Sequence, residues 1–257
     1  MTQSSGPMGR LQGKCALITG AGSGIGYAIA KLFVEQGAHV AAITYRSETF
    51  ERWMGVQGVI PIQADITKLD DIDRMVRQAQ NEMGRIDALC NVAGINDLCH
   101  PLLDTSDERW DAVLDLDLKA PFRICRAVLP GMMARGGGAI VNVGSYAAVR
   151  GNHGPSYTAA KAGLTGLSRS IAVAYAKHGI RCNVLDPGGV RTEIGAHSGG
   201  DYHPQGMAMF RDIVTGFPVP WICDPADIAP TALFLCSDDA RHVNGAVVAV
   251  DGGMSAC

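Results

Sequence analysis

Tyr157 and Lys161 stand four residues apart at the head of a helical stretch, so both side chains project from one face. A phenol of ordinary pKa ~10 is a poor proton donor or acceptor at neutral pH, and bringing it to ~7 takes about 4 kcal/mol of preferential phenolate stabilisation. One ammonium at ~4 Å, with an effective dielectric constant of ~20, offers about that much. Ser145, at the end of the preceding strand, can donate a hydrogen bond to an oxygen on which charge develops. Together the three suit proton transfer to or from an oxygen atom. A second set of residues, Thr19-Gly20-Ala21-Gly22-Ser23-Gly24-Ile25-Gly26, follows an apolar run and opens an amphipathic segment. Glycines in that context let backbone N–H groups and a helix N-terminus approach a pyrophosphate.

These residues need elements to hold them. Apolar runs at 14–19, 39–44, 59–63, 86–90, 139–143, 180–185 and 246–250 read as strands, several without alternation, as strands covered on both faces must be. Between them Ile25, Ile29, Leu32 and Phe33 keep helical spacing, as does the stretch from Ala160 to Ala176. Repeated strand–helix alternation predicts a single α/β domain over 11–257, built on a doubly wound parallel sheet of about seven strands. Residues 1–10, rich in Ser and Gly, read as a flexible tail. The segment at about 188–220 has no clear period and suits a mobile flap over a pocket. Its Met and aromatic residues, Tyr202, Met207, Met209 and Phe210 among them, equally suit the packing face of a short lid helix.

Composition narrows the class. The chain has 257 residues and 32 Gly, about 12% against an ordinary ~7%, but no G-X-Y period, so a collagen-like or low-complexity chain is excluded. Lys and Arg number 22 against 25 Asp and Glu, without long runs, so nucleic acid is not an expected partner. No stretch approaches 18 apolar residues and the first ten carry no hydrophobic region, so neither a membrane nor a secretory route is expected, and the location expected is cytoplasmic. Eight scattered Cys without a CxxC pair imply reduced thiols and no metal site.

The spacing Gly20, Gly24, Gly26 resembles the T-G-x-x-x-G-x-G of the short-chain dehydrogenases/reductases. Further matches follow in order: Asp65, Asn91-Val-Ala-Gly94, Ser145, Tyr157 with Lys161, Asn183-Val-Leu-Asp-Pro-Gly188 with Thr192, and Asp251-Gly-Gly253, over about residues 11–255. The resemblance implies a Rossmann-type fold and an NAD(P)(H)-dependent oxidoreductase (EC 1.1.1.-) that interconverts a secondary alcohol and a ketone, or an aldehyde and a primary alcohol. Hydride would pass at the nicotinamide while Tyr157 acts as acid or base. It implies that Gly20, Ser23, Gly24, Ile25 and Gly26 cradle the pyrophosphate and that Asp65 and Ile66 meet the adenine. Asn91, Ala93 and Gly94 would line the passage to the ribose, Pro187, Gly188, Val190 and Thr192 would surround the nicotinamide, and Tyr157 and Lys161 would hold its ribose.

Cofactor choice is set at the end of the second strand, where an acid would grip the ribose of NAD and a cation would accept the extra phosphate of NADP. Here Thr44 replaces the acid and Arg46 follows, so NADP(H) is expected to be preferred, with NAD(H) as the alternative. One position departs from the resembled pattern: Asp117 stands where the family has a catalytic Asn that carries a proton-relay water. If ionised beside Lys161, it offsets part of the lysine's effect and raises the Tyr157 pKa.

Asn96, Ala147, His153, Tyr202 and Met207 are the expected substrate-pocket residues, and Trp221 is a candidate to close the far end. Their mixture suits a moderately apolar small-molecule carbonyl or alcohol. Reduction of a C=N or C=C bond, or a catalytically silent nucleotide-binding regulator, are the alternative readings. The helix carrying Tyr157 is apolar over a wide arc, with Ala162, Leu167 and Ala174 beyond one buried face. A homotetramer or homodimer is therefore expected.

Overall fold

The structure is a computed structural model that describes residues 9–151, 153–214 and 222–256. Most of the expected N-terminal tail and Trp221 lie outside the described residues. The strands are β1 (Cys15–Thr19), β2 (His39–Thr44), β3 (Val59–Gln63), β4 (Ala88–Asn91), β5 (Gly138–Val143), β6 (Ile180–Pro187), β7 (Gly189–Val190), β8 (Ile222–Cys223) and β9 (Val247–Val250). The helices are α1 (Gly24–Glu35), α2 (Ser47–Glu51), α3 (Leu69–Met83), α4 (Asp107–Leu114), α5 (Ala120–Ala134), α6 (Ala147–Arg150), α7 (Pro155–Tyr175), α8 (Ile194–His197), α9 (Pro204–Val214) and α10 (Pro225–Cys236). A π-helical turn, Asp115–Lys119, joins α4 to α5.

Seven strands pair in parallel in the order β3-β2-β1-β4-β5-β6-β9. Their continuous apolar runs divide residue by residue between two cores. Leu17, Ala41, Ile43, Leu89 and Ile140 face α3, α5 and α7, where Ile72, Met75, Ile124, Val128 and Ile171 meet them. Ala16, Ile18, Val40, Ala42, Cys90 and Val141 face α1 and α10, against Ile29, Phe33, Ile228 and Leu233. Both faces are dry, which is why these strands cannot alternate apolar with polar. The chain reverses direction across the sheet between β1 and β4, and a crevice opens there at the carboxyl ends of the strands.

The lid helix that the Met and aromatic spacing allowed is present, and one feature, a second strand ladder, differs from the sequence reading. The aperiodic segment after β6 contains helices α8 and α9, and β7 pairs with β8 as a small second ladder. A helix as short as α8 is below the length at which hydrophobic periodicity can be read. Among the described residues, no helix is long and apolar enough to cross a membrane.

Candidate active site

The glycine turn lies between β1 and α1. Gly20 has a φ of +67°, and a Cβ on it would sit 2.9 Å from the backbone of Ala93; one on Gly26 would sit 2.2 Å from the Gly20 carbonyl oxygen. Side chains at these points would fill the turn, so its amides face an open cradle at the head of α1. A cavity of about 700 Å³ runs from this turn to the end of β2 and is lined by Ser23, Thr44, Arg46, Asp65, Gly94 and Thr192 among others. Ile25, Ile66 and Ala93 also line it. The hydroxyl of Thr44 at its wall is buried without a hydrogen-bond partner. An open glycine cradle and an unpaired buried hydroxyl along one groove fit a dinucleotide.

Arg46 reaches across this groove. Its guanidinium meets Nε2 of His197 on α8, and Nη2 lies 4.0 Å from the Glu193 carboxylate, itself 3.3 Å from His197. Burial and the Arg46 charge hold the His197 pKa below its usual value. Asp65 turns its carboxylate onto the Thr67 amide and hydroxyl, at 3.0 and 2.6 Å.

Asn91 departs from expectation. Its side chain points away from the groove into the α5 layer, donating to Oδ1 of Asn142 at 2.8 Å and to Cys125 Sγ. Strand pleating sends alternate residues to opposite faces, and this one falls on the inner face. The amide therefore ties β4 to β5, while Ala93 and Gly94 form the groove wall. Of the residues expected around the nicotinamide, Thr192 lines the cavity. Val190 packs on the α1–α10 core, Pro187 ends β6 with its carbonyl accepting from Tyr146 N, and Gly188 abuts Asp251.

Ser145, Tyr157 and Lys161 come together at the ends of β5 and α7, all buried. Lys161 donates to the Val143 carbonyl at 3.1 Å and lies 3.1 Å from Asp117 Oδ2. The other oxygen of Asp117 accepts from Ile95 N at 2.9 Å. The π turn that carries Asp117 is the local irregularity that aims it inward, as such turns commonly do at functional sites. Burial opposes charge on both partners: it carries the Asp117 carboxyl above its usual range, while Asp117 and Tyr157 hold Lys161 above its own.

The Tyr157 phenol also lies above its usual range. Burial raises it most; Lys161 and a hydrogen bond with Ser145 pull it down, and Asp117 and Asp97 push it up. The arithmetic that lets a single ammonium bring the phenol to neutrality omits burial and the opposing carboxylates. Ile95 lines the groove and packs on the cluster of Val113, Ala147, Tyr157 and Ala160, so the groove and the tyrosine share a wall.

Of the expected pocket residues, His153 packs tilted on the Tyr157 ring and edge-on to Phe210 of α9, with ring centroids 5.4 and 5.2 Å away and its pKa lowered by burial. Asn96 and Tyr202 meet at 3.1 Å. Met207 is half-buried on α9, and Ala147 is fully buried in the cluster behind Tyr157. Two buried acids have no role in the sequence reading, although Asp186 lies within the Asn183-Val-Leu-Asp-Pro-Gly188 motif. Asp97 holds the backbone ahead of Tyr157, and Asp186, near Lys161, is raised by desolvation to about 6 with one oxygen unpartnered. An acid inside a strand covered on both faces is a legible signal for Asp186; Asp97 has no local signal.

A family model described as enoyl-(acyl carrier protein) reductase matches residues 20–255. D-threitol dehydrogenase of Mycolicibacterium smegmatis is 38% identical over 250 residues, covering 95% of this chain and 94% of that protein. The crystal structure of levodione reductase superposes with a TM-score of 0.87 at 31% identity, over 96% of this chain and 99% of its own. A crystal structure from Burkholderia xenovorans, of a chain assigned to the short-chain dehydrogenases/reductases, has a TM-score of 0.84 at 38% identity, covering 97% of this chain and 99% of that one. With an unbroken match from the glycine turn to the last strand, this chain belongs to the short-chain dehydrogenase/reductase family and is an NAD(P)-dependent oxidoreductase.

Proposed function

We propose that the enzyme interconverts a small, moderately apolar secondary alcohol and its ketone, using NADP(H) in preference to NAD(H). The observation that carries this reading is the buried meeting of Ser145, Tyr157 and Lys161, with the ammonium fixed between the Val143 carbonyl and Asp117. In this reading Ser145 holds the substrate oxygen and Tyr157 gives it a proton on reduction or takes one on oxidation. Lys161 lowers the cost of the phenolate by its charge, against burial and the two carboxylates. A bound nicotinamide supplies or accepts the hydride at the neighbouring carbon. The turn from Gly20 to Gly26 would hold its pyrophosphate, Asp65 and Ile66 the adenine, and Thr192 with the Pro187–Val190 segment the carboxamide end.

The preference for NADP(H) is supported by Thr44, which brings no carboxylate to the ribose, and by Arg46 beside it in the groove. The segment that carries α8 and α9 is read as the substrate flap, because Phe210 of α9 packs on His153 next to Tyr157. A homotetramer or homodimer is supported by apolar positions left open on α7, where Val173 is 81% exposed and Ala162 and Ala174 are exposed too.

A panel of ketones, aldehydes and alcohols run with both cofactors tests the reading. NADPH-linked turnover of a ketone that is lost in Tyr157→Phe supports it. The matching family model is described as an enoyl reductase while the named relatives act on alcohols and ketones, so an enoyl thioester belongs in the panel as the competing substrate. NADPH oxidation with that substrate alone would replace the ketone reading, and cofactor binding without turnover on any substrate would point to a silent regulator.

A further inference from the structure

Helix α7, 21 residues long and carrying Tyr157 in its first turn, has Gly154 at its N-cap position, with no side chain to cap it. The free amides at its head are met instead by an acid from elsewhere in the chain. Asp97, in the loop after β4, is fully buried, and its carboxylate accepts from Gly154 N at 3.2 Å and Tyr157 N at 3.0 Å. It also accepts from the Ser156 hydroxyl at 3.3 Å and from Cys99 N at 3.2 Å. No Lys or Arg forms an ion pair with it among the described residues, so neutral donors and the positive end of α7 carry its stabilisation.

The surroundings are built to let this acid in. A Cβ on Gly154 would stand 2.4 Å from Asp97 Oδ2 and 2.6 Å from the His100 carbonyl oxygen. The two residues after Asp97, Leu98 and Cys99, both hold positive φ, at 55° and 58°, a conformation that costs energy away from glycine. The loop is fixed from the other side as well, by Ser198 Oγ accepting from Asn96 N and by the Leu98 carbonyl accepting from His203 N.

We propose that Asp97 is a positioning residue for the oxidoreduction: by accepting from Gly154 N and Tyr157 N it caps the catalytic helix in trans and sets where the Tyr157 phenol stands. The proposal rests on Tyr157 being the acid/base of the reaction. Both carboxylate oxygens are used, Oδ1 by Gly154 N and Cys99 N and Oδ2 by Tyr157 N and the Ser156 hydroxyl, so Asp97→Asn leaves one acceptor oxygen of the two and Asp97→Ala leaves none. The ionisable groups around the phenol are Lys161, Asp117, Asp97 and His153, and two of these, Asp117 and Asp97, oppose its ionisation. Asp97→Asn therefore removes the charge together with one acceptor and loosens the head of α7, whereas loss of both acceptors displaces Tyr157.

The test uses the full chain with a substrate found by the panel above. In Asp97→Asn, which keeps one acceptor oxygen, the plateau kcat for alcohol oxidation is expected to fall by less than in Asp97→Ala, and its acidic limb to move to lower pH by less than in Asp117→Asn. In Asp97→Ala the plateau kcat is expected to fall by roughly 10- to 100-fold, with NADP(H) dissociation changed by less than about threefold. A profile for Asp97→Asn that superimposes on the wild type overturns the proposal, as does a parallel loss of turnover and cofactor binding in a folded Asp97→Ala. If Asp97→Ala does not fold, the Asp97→Asn profile alone decides. Tyr157→Phe is run alongside: turnover that survives it ends the catalytic reading and this proposal together, an outcome distinct from a failure confined to Asp97.

Discussion

Lys161 Nζ lies 3.1 Å from Asp117 Oδ2, and both side chains are buried. A charge pair of this kind at the base of the tyrosine means that the ammonium does not act on the phenol alone. Asp117 raises the Tyr157 pKa while Lys161 lowers it.

Asp117→Asn separates the two. Asn keeps an acceptor for Ile95 N but removes the charge. The acidic limb of alcohol oxidation should move to lower pH by roughly one unit, with carbonyl reduction near neutrality changed less because it needs the protonated phenol. Rate profiles in both directions check this; superimposable oxidation curves would show that the carboxylate has no electrostatic hold on Tyr157.

Lys161→Ala should cost stability as well as turnover, because it leaves Asp117 buried without its counter-charge. A loss of about 3 kcal/mol in unfolding free energy is expected, and part of it should return in the double variant with Asp117→Asn. Denaturant unfolding of the three variants measures it. Single and double variants of equal stability would mean that Asp117 finds another partner.

Asp186 gives a stability signature with a definite sign. Desolvation raises its carboxyl from 3.8 to about 6, so its contribution is fully present below about pH 4 and is lost as pH rises through about 6. The gap corresponds to about 3 kcal/mol. Asp186→Asn should therefore unfold at higher denaturant than the wild type at about pH 7.5, with the advantage shrinking toward about pH 4. A constant difference across that range would argue against a buried, titrating carboxyl.

Arg46 bears on cofactor choice. Arg46→Ala should lower the ratio of NADP to NAD efficiency by about tenfold or more, through the KM for NADP. Glu193→Gln should raise the same ratio modestly, since it removes a carboxylate 4.0 Å from that guanidinium. Steady-state kinetics with both cofactors reads both changes, and an unaltered ratio in Arg46→Ala would remove Arg46 from the account.

What the sequence determines by itself here is local. The glycine turn between strand and helix is written in consecutive residues, and Tyr157 and Lys161 share a face because a helix repeats every 3.6 residues. The sheet follows as well, since strands covered on both faces must be apolar throughout. The tertiary structure decides direction and company. Asn91 lies in a recognisable motif, yet the pleat of β4 turns its amide to Asn142 and away from the groove. Asp97 is 60 residues from Tyr157, and Arg46 is 151 from His197; only the packed fold brings them within hydrogen-bonding reach. The pKa of Tyr157 belongs to the same class: residue types identify the groups, but burial and the sum of charges from three separate segments set how readily the phenol ionises.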